Sequence, residues 1–432
     1  MNFKFSIRFF TLFLFEACVL PVSATTASDY EIGTWGNFAQ GALSCTFDDW
    51  PTSGATHITS TGKDAFNAKQ LHFTMFISTQ GLTSDNWATL KSVFADGHEI
   101  ASHNQQHNSN TSGLAPSQQA IKTNVPGEMC VAIAYPNCTP ISASEVLKYY
   151  LAGRTCASDV INKKTPTDFT QIQSKGFGSG QGGYPNDANS MNNYANSAAQ
   201  QNGWGVELHH GIGTDSHSWA TTNLDAMKSH LDYLDKNRST IWVETFGNVA
   251  RYIKERDAVS VKKKDSTASS ITITVTDNLP DTIFNYPLTI RRVLPNGWTT
   301  AVVTQKGTAV YDTIVSVSSK QYVMFKAIPD GGDVVISKDP VAVIRNAPVF
   351  GVVGASPVML KRAILFIDSR QFKGSELTVT LLDLAGKTLA RYTLGSNEDR
   401  IALPADKISH SAFLARITGG SKTYLGTFIP QL

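Results

Sequence analysis

Charged side chains and long apolar runs are both scarce in this chain. Charged residues make up 17% of the 432 positions, and 37 basic side chains nearly balance 35 acidic ones, for a formal net charge of +2. The chain has no long run of lysine and arginine, which argues against a nucleic-acid partner. No stretch after the first 24 residues is long and apolar enough to predict a membrane helix. The 41% of hydrophobic residues nevertheless suffices for folded cores and argues against a disordered chain.

The first 24 residues have the pattern of a secretory signal peptide. Lys4 and Arg8 lie in a short basic segment, and an apolar stretch over 9–20 follows that is too short to span a bilayer. Val22-Ser23-Ala24 then supplies the small residues of a peptidase site. We therefore expect cleavage after Ala24 and a protein that is secreted or held at the outer cell surface. Cys18 lies inside this leader and is not preceded by a lipidation motif.

Strand-like and helical patterns alternate before residue 258, whereas strand patterns dominate after it. Apolar and β-branched runs predict strands at 42–47, 71–78, 98–101, 131–135, 205–208 and 240–244. Helical spacing predicts helices at 85–94, 142–151, 224–234 and 246–255. Repeated β-then-α units predict a parallel sheet, open or closed into a barrel, with active groups at the carboxyl ends of its strands. The Gly- and Asn-rich segment 174–203 is expected to be a long loop, either a lid or an insertion.

The chain after residue 258 is predicted to form two sandwich-like β domains. Residues 271–276 alternate strictly between apolar and polar side chains, as in a half-buried strand. The boundaries are therefore drawn at 25–258 for the α/β domain, 259–345 for the first β domain and 346–432 for the second. In the last domain a strand over 377–383 is expected to enter a turn at 384–387. Trp298 is expected to be an interior aromatic rather than part of a carbohydrate-binding face.

Three separated segments carry side chains that bind metals or transfer protons. Asp48 and Asp49 end the first predicted strand, His103 and His107 follow another, and His209-His210 end a late one. Taken singly, each segment has an ordinary explanation: a helix cap, a pair of histidines on one helix face, or hydrogen-bonded histidines. On one rim of a βα fold, two imidazoles and a carboxylate would form a metal site with open positions. The second carboxylate could then take a proton from water, and a histidine opposite could protonate a leaving group.

These segments resemble the polysaccharide deacetylases with a NodB-homology domain (carbohydrate esterase family 4). The resemblance covers roughly residues 31–256 and depends mainly on Thr46-Phe47-Asp48-Asp49 and on the run from Gly97 to His103 with His107. It implies a distorted (β/α) barrel that hydrolyses acetyl groups, from O-acetyl xylan or from N-acetyl chitin or peptidoglycan. It also implies a role for each of the residues named above: Asp48 as general base; Asp49, His103 and His107 as ligands of one divalent metal, zinc or cobalt; His210 as general acid, with adjacent His209 as the alternative.

The resemblance also suggests which groups surround the substrate. It places the oxyanion donor in the turn at 134–138, most plausibly at Asn137, beside Tyr135. Trp50 stands where the family usually has glycine, so it would either stack on a sugar or crowd the site. The turn lacks the arginine with which many members of the family orient the base. Arg154 is the candidate replacement for that arginine, and the alternative is that Arg154 forms a surface salt bridge. No motif that would orient the acid histidine is found.

The four cysteines of the mature chain predict two disulfides, because an even number in an exported protein usually pairs. Within a barrel, Cys130 and Cys156 are expected to begin strands, whereas Cys45 and Cys138 are expected near strand ends. We therefore predict the disulfides Cys130–Cys156 and Cys45–Cys138. A Cys138–Cys156 disulfide is not expected, because it would have to join opposite ends of the intervening helix.

Two further expectations concern the β domains and the runner-up functions. The last 80 or so residues resemble C-terminal sorting domains of the type IX secretion route, which implies secretion machinery as a partner. The runner-up to a deacetylase is a non-catalytic glycan-binding surface protein on a lapsed deacetylase domain. A third interpretation is an adhesin whose β domains carry the function.

Overall fold

The structure is a computed structural model that describes residues 29–51, 54–156, 159–217, 219–310, 312–338 and seven strands between 358 and 428. The predicted signal peptide, the domain boundary near residue 346 and the turn predicted at 384–387 lie outside the described residues. Among the described residues, no helix is long and apolar enough to cross a membrane.

The region up to residue 258 alternates strands and helices. Its strands are β1 (Tyr30–Ile32), β2 (Gly41–Trp50), β3 (Thr74–Ile77), β4 (Glu99–Ser102), β5 (Ala132–Ala134), β6 (Ala152–Arg154), β7 (Lys175–Gly176), β8 (Trp204–His209), β9 (Gly211–Ile212), β10 (Thr221–Thr222) and β11 (Ile241–Val243). Its helices are α1 (Thr61–Asn67), α2 (Ser84–Ala95), α3 (Leu114–Asn124), α4 (Ala143–Val146), α5 (Ala188–Gln200), α6 (Leu224–Lys236) and α7 (Phe246–Ala258). Short 3-10 turns lie at Gly36–Phe38, His57–Thr59, Thr111–Gly113, Pro136–Cys138 and Phe169–Gln171.

Eight of these strands form one parallel sheet. Its order is β6-β5-β4-β3-β2-β8-β7, and β11 pairs in parallel with the first residues of β2. The prediction of an α/β fold with a distorted barrel is confirmed. Because all its strands run the same way, their carboxyl ends meet at one rim, where parallel sheets place their active groups.

Some helices differ from the predictions. The helix predicted at 142–151 is the four-residue α4, and the segment 174–203, predicted to be a loop, contains α5. The side chain of Asp187 caps α5 by accepting the backbone N–H of Ser190, and Met191 and Tyr194 are buried on its inner face. The sequence therefore contains a helix cap and an apolar helix face. The many Asn and Ser residues of the segment, which are typical of loops, led to the wrong prediction.

The two faces of the parallel sheet pack into different cores. Along β2, Leu43, Cys45 and Phe47 join the core under the helices, whereas Ala42 joins the core on the other side of the sheet. This alternation is what a strand buried on both faces requires. The alternation also determines which side chains of β2 can reach the rim.

The second region is antiparallel and packs against the first. Its strands are β12 (Ser260–Ser266), β13 (Ser270–Thr276), β14 (Leu288–Val293), β15 (Ala301–Gln305), β16 (Thr308–Ala309), β17 (Asp312–Val317), β18 (Lys320–Ala327) and β19 (Val334–Lys338). They form two sheets, β1-β14-β18-β17 and β12-β13-β19-β15-β16. The early strand β1 therefore belongs to a sheet of the second region. Ile271, Ile273 and Trp298 are buried in a core continuous with the inner face of the parallel sheet, so Trp298 is an interior aromatic, as predicted.

The last described strands form two further antiparallel sheets. They are β20 (Val358–Lys361), β21 (Ile364–Ile367), β22 (Leu377–Leu382), β23 (Thr388–Leu394), β24 (Arg400–Ala402), β25 (Phe413–Gly419) and β26 (Lys422–Phe428). The sheet orders are β20-β21-β24 and β23-β22-β25-β26. Both sheets contribute to one apolar core that includes Leu365, Val379 and Ile417.

Candidate active site

The two adjacent aspartates reach the same site because β2 contains a bulge. The pairing of β2 with β3 shifts between Asp48 and Trp50, and Asp49 has a left-handed φ of 66°. In a regular strand, neighbouring side chains point to opposite faces. A bulge re-aims the extra residue, at a backbone cost of roughly 1–3 kcal/mol. As a result His103 Nε2 lies 3.9 Å from Asp48 Oδ2 and 3.4 Å from Asp49 Oδ1.

Asp49, His103 and His107 form a compact set of potential metal ligands. Their ligand atoms all lie within 4.8 Å of one another, and His107 Nε2 is 3.2 Å from Asp49 Oδ1. His103 Nδ1 lies 2.9 Å from the backbone oxygen of Ala134, which directs its Nε2 toward Asp49. Two imidazoles and one carboxylate suit a zinc- or cobalt-type ion with positions left for water and substrate. The residues therefore fit the metal that the sequence predicts.

The two histidines are brought together by a folded loop rather than by a helix face. Residues 103–110 follow β4 without helical structure. Asn104 has a φ of 65°, and its side-chain amide donates to the backbone oxygens of Asn108 and Asn110. These bonds close the loop, so that the His103 and His107 rings lie 4.9 Å apart.

Arg154 is buried against Asp48. Its Nη2 donates to Asp48 Oδ2, its Nη1 lies 3.4 Å from Ser174 Oγ, and its guanidinium carbon is 5.2 Å from the centre of the Phe76 ring. The side chain has no exposed surface, so the alternative of a surface salt bridge is wrong. Three strands separate β6 from β2 in the sheet. The ion pair therefore spans the inside of the curled sheet and orients the Asp48 carboxylate.

His209 and His210 face opposite sides of the sheet. His209 is fully buried toward the helices, with its Nδ1 2.9 Å from Thr222 Oγ1 and its ring stacked on Phe47. His210 instead faces the aspartates, with its Nε2 4.0 Å from Asp49 Oδ2. Burial lowers the pKa of His210 to about 4, against the opposing effect of the two carboxylates. Of the two histidines, only His210 lies at the rim.

His217 also belongs to the site, although no sequence pattern indicated it. Its Nε2 lies 3.0 Å from Asp49 Oδ2, and its ring stacks on His210 with centroids 4.7 Å apart. Its Nδ1 accepts the backbone N–H groups of Trp219 and Ala220. Because Nδ1 is an acceptor, a neutral ring carries its proton on Nε2 and donates it to Asp49. The residue lies in the loop between β9 and β10, away from the three recognisable segments.

The predicted substrate residues occupy different surroundings. Trp50 is 5% exposed and packs in the core under the helices, so its side chain neither offers a stacking face nor fills the rim. Tyr135 is also buried, and its hydroxyl donates to the backbone oxygen of Thr170. Asn137 is exposed in the 3-10 turn after β5, next to the strand whose Ala134 oxygen contacts His103.

The predicted disulfide pairing is wrong. Cys138 bonds to Cys156, with Cα atoms 5.1 Å apart, whereas Cys45 and Cys130 are free and buried. Cys156 lies two residues beyond the end of β6, not at its beginning as expected. Because β5 and β6 are parallel neighbours, Cys138 after one and Cys156 after the other meet at the same rim. The bond thus ties the turn that contains Asn137 to the strand that carries Arg154.

Comparison with known proteins agrees with this site. Residues 36–128 match the family model described as polysaccharide deacetylase, which confirms the resemblance identified from the sequence. This stretch includes Asp48, Asp49, His103 and His107. A curated relative, a gellan lyase from a Bacillus species, is 29% identical over 353 residues, which is 74% of this chain. The chain spans 14% of the length of that relative.

Several solved structures are similar to about half of the chain. The CE4 domain of a multidomain xylanase from the hindgut metagenome of Trinervitermes trinervoides is 18% identical and covers 48% of this chain and 89% of its own, with a TM-score of 0.33. A family 4 acetyl xylan esterase from Clostridium thermocellum, in complex with cobalt, is 14% identical with the same coverages and a TM-score of 0.32. A chitin deacetylase from Colletotrichum lindemuthianum is 17% identical and covers 49% of this chain and 88% of its own, with a TM-score of 0.34.

Proposed function

We propose that this protein is a secreted, metal-dependent hydrolase that removes acetyl groups from a polysaccharide. The observation that carries the proposal is the position of Asp48. Its carboxylate is held by buried Arg154 and lies 3.9 Å from His103, which belongs to the ligand set with Asp49 and His107. A proton acceptor thus stands beside a site suited to a divalent ion.

The residues around this site divide the chemistry between them. A divalent ion bound by Asp49, His103 and His107 would supply positive charge that polarises an acetyl carbonyl and makes water more acidic. Asp48 accepts the proton of the attacking water, since Arg154 holds its carboxylate in a fixed orientation. His210, on the Asp49 Oδ2 side of the site, gives a proton to the departing alcohol or amine from its protonated form, which the two neighbouring carboxylates favour against the effect of burial. Asn137, exposed at the rim, offers its backbone N–H to the oxyanion.

The same arrangement serves ester and amide substrates, and both belong to the proposal. The structural relatives include an acetyl xylan esterase and a chitin deacetylase, and the curated relative is a gellan lyase. Acetylated xylan, chitooligosaccharides and peptidoglycan are therefore the substrates to compare, with gellan as an additional polymer.

Acetate release by the purified protein tests the proposal. The protein is stripped with a chelator, reloaded with zinc or cobalt, and incubated with each polymer. We expect the reloaded protein to release acetate from at least one polymer, and the stripped protein to release none. Asp48→Asn should retain the metal and lose turnover, whereas His103→Ala and His107→Ala should lose both. His72, a partly buried histidine just before β3, provides a matched control as His72→Ala.

Two outcomes would contradict the proposal. Full turnover in Asp48→Asn would remove that residue as the base. Bound metal without acetate release from any polymer, together with glycan binding, would favour the non-catalytic alternative.

Sequencing the N terminus of the exported protein tests secretion, for which we expect cleavage after Ala24. If the last domain is a sorting signal, removing residues 346–432 should leave the protein inside the cell envelope.

A further inference from the structure

A second cluster of metal-type ligands lies on the opposite face of the strands that carry the site. Cys45, Glu207 and His230 are fully buried, and their ligand atoms lie within 4.8 Å of one another. Cys45 on β2 and Glu207 on β8 are direct neighbours in the parallel register, and His230 comes from α6. Because side chains alternate along a strand, these two residues point toward the helices while Asp48 and His210 face the rim.

The contacts within this cluster leave two buried atoms without a hydrogen bond. Glu207 Oε2 lies 3.3 Å from Cys45 Sγ, and Glu207 Oε1 lies 3.2 Å from His230 Nε2. Despite that short distance, neither Glu207 Oε1 nor His230 Nε2 has a hydrogen-bond partner of acceptable geometry. Buried polar atoms in native proteins are nearly always partnered, so this pair needs an explanation, and a bound ion is one that its chemistry fits.

The proton on His230 is directed away from the cluster. His230 Nδ1 lies 2.7 Å from Asn192 Oδ1 on α5, and an amide oxygen can only accept. Nδ1 is therefore the donor, and in a neutral ring Nε2 presents its lone pair to Glu207. A histidine ligand whose other nitrogen donates to a neighbouring oxygen is the usual arrangement around a protein-bound metal.

We propose that Cys45, Glu207 and His230 form a second, structural metal site that takes a zinc-type ion. Zinc accepts sulfur, imidazole nitrogen and carboxylate oxygen together. A thiolate and a carboxylate balance the two positive charges, so the buried site is neutral. Binding breaks the S–H bond of Cys45, the sulfur keeps the electron pair and bonds to the ion, and the proton passes to solvent. His209 Nε2, 3.3 Å from Glu207 Oε2, lies beside the site.

A metal here would link the strands of the active site to a helix. β2 carries Asp48 and Asp49, β8 leads into His210, and α6 carries His230. The competing explanation is a metal-free ion pair between Glu207 and a protonated histidine. The two explanations differ in the number of ions that the protein binds and in whether a sulfur contacts one of them.

Cobalt provides a readout specific to the second site, because only this site contains a cysteine. The full chain with His103→Ala and His107→Ala, stripped and refolded with cobalt(II), should retain one equivalent of metal. Its absorption spectrum should contain a near-ultraviolet thiolate-to-cobalt charge-transfer band. The band should disappear with Cys45→Ala and persist with Cys130→Ala, the matched variant of the other free, buried cysteine. X-ray absorption of the zinc-loaded unmutated protein should show a sulfur neighbour at about 2.3 Å, one for every two zinc ions.

Three results would overturn the proposal. They are a double variant that binds no cobalt, a band that survives Cys45→Ala, and zinc in the unmutated protein with only nitrogen and oxygen neighbours. The last measurement needs no variant, so it decides the matter even if Cys45→Ala fails to fold. Neither readout depends on acetate release, so loss of the proposed activity would leave this test unaffected.

Discussion

His217 Nε2 lies 3.0 Å from Oδ2 of Asp49, while the other oxygen of that carboxylate faces His103 and His107. The carboxylate is therefore held on two sides, by a hydrogen-bond donor and by the proposed metal site. Residues that orient a metal ligand in this way affect both metal affinity and rate.

His217→Ala is accordingly expected to weaken metal binding and lower kcat/KM by about 10–100-fold. His217→Gln, which keeps an N–H donor, should recover part of the loss. Competition with a chelator measures the affinity, and His72→Ala serves as the control. An unchanged metal affinity in His217→Ala would mean that the Asp49 carboxylate needs no such support.

Arg154→Leu should reduce kcat on the order of 10²-fold while the metal content stays the same, because Asp48 loses the cation that orients it. The protein should also lose about 3–5 kcal/mol of unfolding free energy, since one charge of a buried pair remains unpaired. Arg154→Lys keeps the charge without the planar fork and should be intermediate. Steady-state kinetics and denaturant unfolding separate the two effects. Equal activity in the Leu and Lys variants would contradict a role in positioning.

Substitution of the adjacent histidines should have opposite consequences. His210→Ala should lower kcat by roughly 10²–10⁴-fold with little change in stability, as expected for loss of a proton donor at the rim. His209→Ala should lower the unfolding free energy by about 1–3 kcal/mol, because Thr222 loses its buried partner. Activity and thermal unfolding of both variants, measured side by side, check this. A greater loss of kcat in His209→Ala would reverse the assignment.

Peptide mapping without reduction should recover Cys138 joined to Cys156, and alkylation after unfolding should label Cys45 and Cys130. Replacing both bonded cysteines with serine should cost about 3 kcal/mol, the usual value for a loop of this length. Cys130→Ser leaves both the bond and the proposed second metal site intact and is the comparison. A recovered Cys45–Cys138 peptide would restore the pairing first inferred from the sequence.

Glu255 should make the protein less stable as the pH rises. The side chain is buried, its Oε1 accepts the backbone N–H of Tyr286, and burial raises its pKa to about 8, with Arg251 opposing and Asp277 adding to the shift. The folded state thus holds the proton more tightly than the unfolded chain. Its stabilising contribution is complete below about pH 4.5 and is lost as the pH rises to about 8.

The expected slope is at most about 1.4 kcal/mol of unfolding free energy per pH unit across that interval. Glu255→Gln has no proton to lose and should flatten the dependence. Denaturant unfolding between pH 5 and 8 tests this, with Glu145→Gln as a surface control. If the unfolding free energy has the same pH slope in the unmutated protein and in Glu255→Gln, Glu255 is not the source of the pH dependence.

The amino-acid order alone revealed the parallel α/β fold and the candidate metal ligands. Apolar periodicity is a local property, and Asp48, Asp49, His103 and His107 follow strands whose carboxyl ends must share a rim in a parallel sheet. The resemblance favoured His210 over His209, and strand alternation supports that choice, because His210 faces the rim and His209 faces the helices.

Contacts between distant segments required the tertiary structure. Asp49 and His217 are 168 residues apart, and Cys45 and Glu207 are 162 apart, so neither pair leaves a pattern in a short window of sequence. The disulfide was misassigned because the position of Cys156 relative to the end of β6 depends on strand register. Arg154 reaches Asp48 only because the sheet curls, and curling is a property of the whole sheet. Local sequence thus specifies which side chains end each strand, whereas register, bulge and curvature decide which of them meet.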